Sequence, residues 1–161
     1  MGIETYEAAL TGEKAVKGER EAAATLIEGD EVLIRRFWGF KLDDESGTVA
    51  EYGVALIVTD RQLLMLKEGG LLKKKFKTWA VRYEQLKENI ARSEFSAVPG
   101  SKPYYLTGFA RLRADTACMA TFFEERDRDA FAAVLQAAID AQRNGHTMSA
   151  SDLEQARSLL R

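Results

Sequence analysis

Few residues in this chain of 161 could do covalent or metal chemistry, and they do not group. There is one cysteine, Cys118, and one histidine, His146. A zinc site takes three or four such ligands, so this pair cannot make one. A Cys–His or Ser–His nucleophile pair would have to use His146, which stands in the polar stretch RNGHTMS. Cys118 lies in the apolar run ACMATFFE and reads as a small buried hydrophobe. Asp43, Asp44, Glu45 and Glu51 share a neighbourhood, but their spacing lacks the order of an EF-hand loop. Gly69-Gly70 is followed by leucines and lysines rather than Gly-Lys-Ser/Thr, so no phosphate loop is spelled out. No catalytic residue, cofactor site or metal site is expected, and the chain reads as a non-enzyme.

The residues that could bind rather than react are Lys73, Lys74, Lys75, Phe76, Lys77 and Trp79, in the stretch LKEGGLLKKKFKTWAVRY. Between Arg61 and Arg92 there are nine basic side chains against three acidic, while the first 51 residues lean acidic. Two readings compete. Lysines at a hairpin tip keep a sheet edge soluble, with Leu71, Leu72, Phe76 and Trp79 anchoring the turn on the core. Alternatively the tip meets an anionic bilayer, where each lysine contributes about 1 kcal/mol. Lysines without an arginine fork make a poor stereospecific phosphate pocket. A net charge of −2 opposes a phosphate track, so nucleic acid is not an expected partner.

The elements that must position these residues follow from periodicity. Residues 4 to 28 read as helix in two pieces, interrupted at Gly12, with a thin alanine-rich stripe. From Asp30 the texture turns to strands: 31–40, 52–60, 62–68, 77–86, 89–98, 108–115 and 117–124, with the loop PGSKPYY before the sixth. The run YGVALIVTD is apolar at nearly every position, which predicts cover on both faces. TDR marks a tight turn. Trp38 is expected in the core or an interface, and Tyr104-Tyr105 in loop packing. Phe131, Val134, Leu135, Ala138 and Ile139 then repeat at helical spacing over 127–143, with Asp127 as cap and Gly145 as stop. A last helix, 148–161, has the capping-box pattern Ser151…Glu154 and is too short to stand undocked.

Consecutive strands without intervening helices exclude a parallel sheet. They demand an antiparallel α+β fold in which a seven-stranded sheet bends into a barrel or sandwich, and the helix after the last strand stoppers it. Over residues 28–143 the chain resembles the bacterial pleckstrin-homology-like domains and the related GRAM domains. The resemblance is carried by EGDEVLIRRFWG, by ALIVTDRQLLMLKEGGLLKKKFKTWAVRYEQLKENIAR, and by TACMATFFEERDRDAFAAVLQAAI. It implies a barrel capped by a C-terminal helix, a protein or lipid partner, and homo-oligomers. The end of the chain also resembles, faintly, the short C-terminal helical hairpin found behind some of these domains, without its acidic run and aromatic.

The expected organisation is an N-terminal helical extension at 1–28, the pleckstrin-homology-like domain at 29–144 and a short helical tail at 145–161. No apolar run approaches the ~20 residues of a membrane span, and MGIETYEAALTGEK lacks the order of a signal peptide. A cytoplasmic location is expected. The function expected is a self-associating interaction module, its outer helices the route to assembly. The alternative is peripheral binding to anionic lipid through Lys73–Lys77.

Overall fold

The computed structural model describes residues 3–43, 49–69, 75–87, 89–96, 98–111 and 114–159. Leu71, Leu72, Lys73, Lys74, Asp44 and Glu45 lie outside the described residues, as does the side chain of Cys118. The elements run α1 (Ile3–Leu10), α2 (Glu19–Ala24), β1 (Leu33–Leu42), β2 (Val49–Thr59), β3 (Gln62–Gly69), β4 (Lys75–Arg82), β5 (Ala91–Phe95), β6 (Tyr104–Arg111), β7 (Ala114–Phe122), α3 (Glu125–Arg143) and α4 (Ala150–Ser158). A 3-10 turn at Tyr83–Gln85 follows β4.

All seven strands join one antiparallel sheet in the order β4-β3-β2-β1-β7-β6-β5. β1 pairs with β2 along its whole length but with β7 only at Phe40–Thr121 and Lys41–Ala120. The expected barrel is therefore open. Among the described residues no ladder joins the edge strands β4 and β5, and helix α3 fills the gap instead.

Phe131 of α3 meets Phe37 edge-on at 5.4 Å and Phe122 at 5.3 Å. It shares a buried cluster with Val134, Leu135, Ala138 and Ile139. Polar groups on α3 also close the open edge. Gln136 accepts from Ile90 N at 2.9 Å, Arg128 donates to Ser93 O at 2.9 Å, and Arg143 donates to Leu86 O at 3.3 Å. Helix side chains thus occupy main-chain groups of β5 and its approach that an added strand would need. Gly39 of β1 permits the tight centre, since a Cβ there would stand 3.0 Å from the Phe122 ring and 3.1 Å from Leu56.

The doubly apolar β2 is buried on both sides, as its sequence requires. Val54, Leu56 and Val58 point into the barrel core, while Ala55 and Ile57 point outward to join Leu33, Leu64 and Leu66. That outer cluster is covered by Tyr6, Ala9 and Leu10 of α1 and Ala23 of α2. At the centre of the cover Glu19, fully buried, accepts from Arg36 twice at 3.0 Å, from Tyr6 Oη at 2.5 Å and from Val16 N at 3.0 Å. Arg36 reaches on to Glu13 at 3.0 Å. Burial and the neighbouring Glu19 carboxylate push the Tyr6 hydroxyl well above the ordinary tyrosine range.

Several boundaries differ from expectation for local reasons. The second N-terminal helix ends at Ala24 because Leu26 and Ile27 turn onto the sheet. β4 ends at Arg82, where the buried Tyr83 turns in and its hydroxyl donates to Thr59 O at 2.7 Å. β6 begins at Tyr104, inside the expected loop, because Tyr105 pairs with Phe122. α3 starts at Glu125, so Asp127 lies in its first turn and is not the cap. The capping box of α4 is Ser149 with Asp152, two residues before the expected pair. Met148 and Leu153 flank that cap and both pack on the core, a hydrophobic staple that selects Ser149. The tail docks on its own chain. Arg157 forks onto Leu33 O at 2.6 Å and Ile34 O at 2.9 Å, where β1 bulges against β2 and has no β7 partner among the described residues, and Arg35 donates to Ala156 O at 2.8 Å.

Candidate functional site

The expected lysine surface is only partly a free surface. Lys75 and Lys77 are exposed on β4, but Lys77 pairs with Glu51 of β2 at 2.9 Å. Lys67, opposite Lys77 in the ladder, donates to Tyr52 O. Trp79 is partly buried, with the buried ammonium of Lys41 5.1 Å from its ring centre. Phe76 points to the other face of β4 and packs under the N-terminal cover. Phe76 and Trp79 therefore make no common platform.

Four of the nine basic residues of the 61–92 window, Arg61, Lys77, Arg82 and Arg92, are paired with acids, most of them from elsewhere in the chain. Arg61 pairs with Glu28 and with Asp30 (2.7 Å), Arg82 with Glu28 (3.0 Å) and Glu84 (3.4 Å), and Arg92 with Asp129 (3.4 Å). The guanidinium hydrogen bonds hold the Glu28 and Asp30 carboxyls below their usual range. Asp60, in the adjoining turn, moves the other way because burial disfavours its charge.

A different surface emerges on the outside of the sheet. Trp38 and Phe40 of β1, Tyr52 of β2, Phe123 just after β7, Tyr104 of β6 and Phe95 of β5 form an aromatic belt across five neighbouring strands. Strand alternation puts most of them there, and the register shift between Gly39 and Lys41, opposite Gly53, brings Tyr52 to the same side. Trp38 pairs with Ala55, which faces outward; Phe122 points into the core, so Phe123 points out; Tyr105 pairs with Phe122, so Tyr104 points out beside its partner Phe95. Phe40 meets Tyr52 at 5.3 Å and Phe123 at 4.7 Å, both edge-on, and Phe123 meets Tyr104 at 5.8 Å. Trp38 is 47% exposed, Tyr52 60%, Phe95 58% and Phe123 54%. Gly53, at φ +66°, leaves room for the Trp38 ring, whose Cζ2 lies 3.1 Å from where a Cβ would sit.

The rim of the belt carries paired charges and the ammonium of Lys67, which donates to Tyr52 O beside Trp38. Lys102 pairs with Glu124 at 2.8 Å beside Tyr104 and Phe123, which raises the lysine and lowers the carboxyl. The Arg36 guanidinium lies 4.9 Å from the Trp38 ring centre and is already matched by Glu13 and Glu19. An exposed aromatic patch whose rim charges are mostly paired has the composition of a protein-binding surface, where Trp, Tyr and Phe are enriched and charge is depleted.

Sequence reasoning missed this belt. Its signal was present in FWGF, TFFE and PYY, where adjacent aromatics must divide between two faces. Which face was bare could not be read there. Other concavities offer less chemistry. A groove of about 250 Å³ between α3 and α4 is lined by Ala133, Ala137, Ala141, Met148 and Leu159, with the exposed His146 at its end. Among the described residues no three His, Cys, Asp or Glu side chains converge as metal ligands, and no helix is long and apolar enough to cross a membrane.

Comparison with solved structures identifies the architecture. The Vps36 N-terminal PH domain matches 73% of this chain and 86% of its own, at 12% identity and a TM-score of 0.52. The hSac2 domain from human phosphoinositide phosphatase Sac2 matches 83% of this chain and 87% of its own, at 11% identity and a TM-score of 0.52. A pleckstrin homology domain from Shewanella amazonensis SB2B aligns over 78% of this chain and 98% of its own, at 8% identity and a TM-score of 0.47. No family model and no curated protein matches the sequence. The fold is pleckstrin-homology-like, as the sequence resemblance implies.

Proposed function

We propose that this chain is a non-enzymatic interaction module that uses its pleckstrin-homology-like sheet to hold a protein partner on the aromatic belt. The observation that carries this reading is the exposure of Trp38, Tyr52, Phe95 and Phe123 on one face, beside the paired Lys102 and Glu124. Rings of this kind contribute most of the energy at protein interfaces, and truncating a central one costs about 2 kcal/mol or more in binding.

Self-association fits the same surface better than the outer helices. Helices α1, α2 and α4 spend their apolar sides on their own chain, whereas two copies could meet belt to belt about a two-fold axis. The test is light scattering together with capture from native lysate, each run on the wild type, on Trp38→Ala/Phe123→Ala and on Lys75→Glu/Lys77→Glu. The belt variant should lose its partner or its dimer while the lysine variant keeps it. Loss confined to the lysine variant would reverse the assignment.

Peripheral binding to anionic lipid retains one supporting observation: the exposed Lys75 and Lys77 lie on one face of β4. Flotation with vesicles containing phosphatidylserine tests it. Binding that disappears in Lys75→Glu/Lys77→Glu and weakens with salt would support this second reading, and no flotation at low salt removes it.

A further inference from the structure

We infer that the free edge of β4 takes an acidic, extended segment of another protein as an added strand of the sheet; this is a second surface and does not depend on the belt.

The main chain argues first. The sheet has two edges, β4 and β5. Side chains of α3 seal β5 and its approach, where Arg128 donates to Ser93 O and Gln136 accepts from Ile90 N. Among the described residues nothing equivalent reaches β4. Its eight residues pair with β3 in one unbroken register, without a bulge and without proline. Alternate residues of an edge strand aim their N–H and C=O groups away from the sheet. Among the described residues no other group bonds those of β4. The centre of this edge is not blunted by charge, since Thr78 and Ala80 are exposed and Trp79 is half-buried. A long, straight edge of this kind is a template for another strand.

Charge then selects the strand. Lys75 and Lys77 share the face of β4 that carries Trp79 and Val81. Lys67 of β3 stands directly opposite Lys77, and like charges opposed across a ladder are unfavourable. Glu51 answers Lys77 at 2.9 Å, Lys67 turns to Tyr52 O, and Lys75 has no acidic partner among the described residues. This row of cations ends at the open edge. A strand laid there antiparallel sets alternate side chains opposite Val81, Trp79, Lys77 and Lys75. Apolar residues at the first two of those positions and acids at the last two complete the face. A second copy of β4 brings only lysines and an arginine as its charges. A lipid headgroup would meet the lysines but leave the alternating donors and acceptors of the edge unbonded.

The experiment titrates the 15N-labelled full chain with the capped peptide VTFTETET and reads the amide signals and hydrogen exchange of β4. The expected result is a saturable shift of the β4 signals, with exchange of alternate β4 amides slowed about tenfold or more. N-methylation of one alternate set of peptide amides should abolish binding, and N-methylation of the other set should spare it, because only one set faces β4. Affinity should fall roughly tenfold or more in Lys75→Gln/Lys77→Gln and be unchanged in Phe123→Ala. Unmoved β4 signals at millimolar peptide overturn the inference, as do equal effects of the two methylated sets or full affinity in the glutamine variant. It also falls if the β4 signals move only with protein concentration or only with phosphatidylserine vesicles, which would make the occupant a second copy or a membrane. A peptide that moves the Trp38 indole signal and is lost in Phe123→Ala sits on the belt, and that result overturns the inference while supporting the belt reading.

Discussion

The outer face of the sheet has two halves with opposite fates. Over the start of β1, β2 and β3 it is aliphatic, with Leu33, Ala55, Ile57, Leu64 and Leu66, and it is roofed by α1 and α2 around the Glu19–Arg36 pair. From Trp38 on β1 to Phe95 on β5 it carries the aromatic belt, four of whose rings are exposed. The border falls within one strand: Arg36 belongs to the roof, and Trp38, two residues on, belongs to the belt. Both halves are apolar enough to need cover. One is covered by the chain's own first residues, and the other is left for a partner. Burial of the roofed half relies on thin helices and one matched buried charge, which sets position more than it adds stability. The bare half uses residue types that tolerate water at their edges and gain most when a partner excludes it.

The sharpest contrast is between neighbours. Phe122→Ala should lower stability by about 3–5 kcal/mol, because it empties core beneath Phe131. Phe123→Ala should change stability by less than about 1 kcal/mol while abolishing capture on the belt. Urea unfolding of the two variants checks this, and similar losses would mean the belt is structural. Next is the roof. Glu19→Ala leaves the Arg36 guanidinium buried without its bidentate partner and should cost about 3 kcal/mol. Hydrogen exchange should show α1 and α2 opening before the strands. A roof that stays closed would mean that the aliphatic contacts alone hold it.

A smaller effect is expected at the lysines. Lys77→Ala removes an exposed ion pair with Glu51 and should shift stability by less than about 1 kcal/mol. The last effect depends on pH. Tyr6 and Tyr83 are raised by burial, Tyr6 further by Glu19 and Tyr83 by Asp60 and Glu31. The folded chain then keeps protons that the unfolded chain releases near the ordinary tyrosine value of about 10. Stability should be complete below that pH and fall as pH rises beyond it, with tyrosinate absorbance appearing together with unfolding. Tyr6→Phe should weaken the alkaline dependence.

Much of the architecture was legible. The continuous apolar run through Val54–Val58 announced a strand covered twice, and the stripe Phe131–Ile139 announced the stopper, because both periodicities are local consequences of backbone geometry. The candidate site was less legible. Four lysines within five residues draw the eye, yet the acids that balance their neighbourhood sit at Glu28, Asp30, Glu51 and Asp129. Charge counted along a window cannot include partners brought in by folding. The belt had the opposite problem, since its members are spread from Trp38 to Phe123 and no window holds more than two or three.

Which residues alternate, where the chain turns, and that one helix must cap an antiparallel sheet all follow from residue order, since strand and helix periods depend on neighbours in the chain. It took the packed chain to show that no ladder joins β4 to β5 among the described residues, that Arg157 seals the bulged start of β1, and that Trp38, Tyr52, Phe95 and Phe123 stay exposed. Those outcomes depend on which surfaces meet. That is fixed by packing and by the reach of the short α1 and α2, which roof β3, β2 and the start of β1 and stop short of the belt.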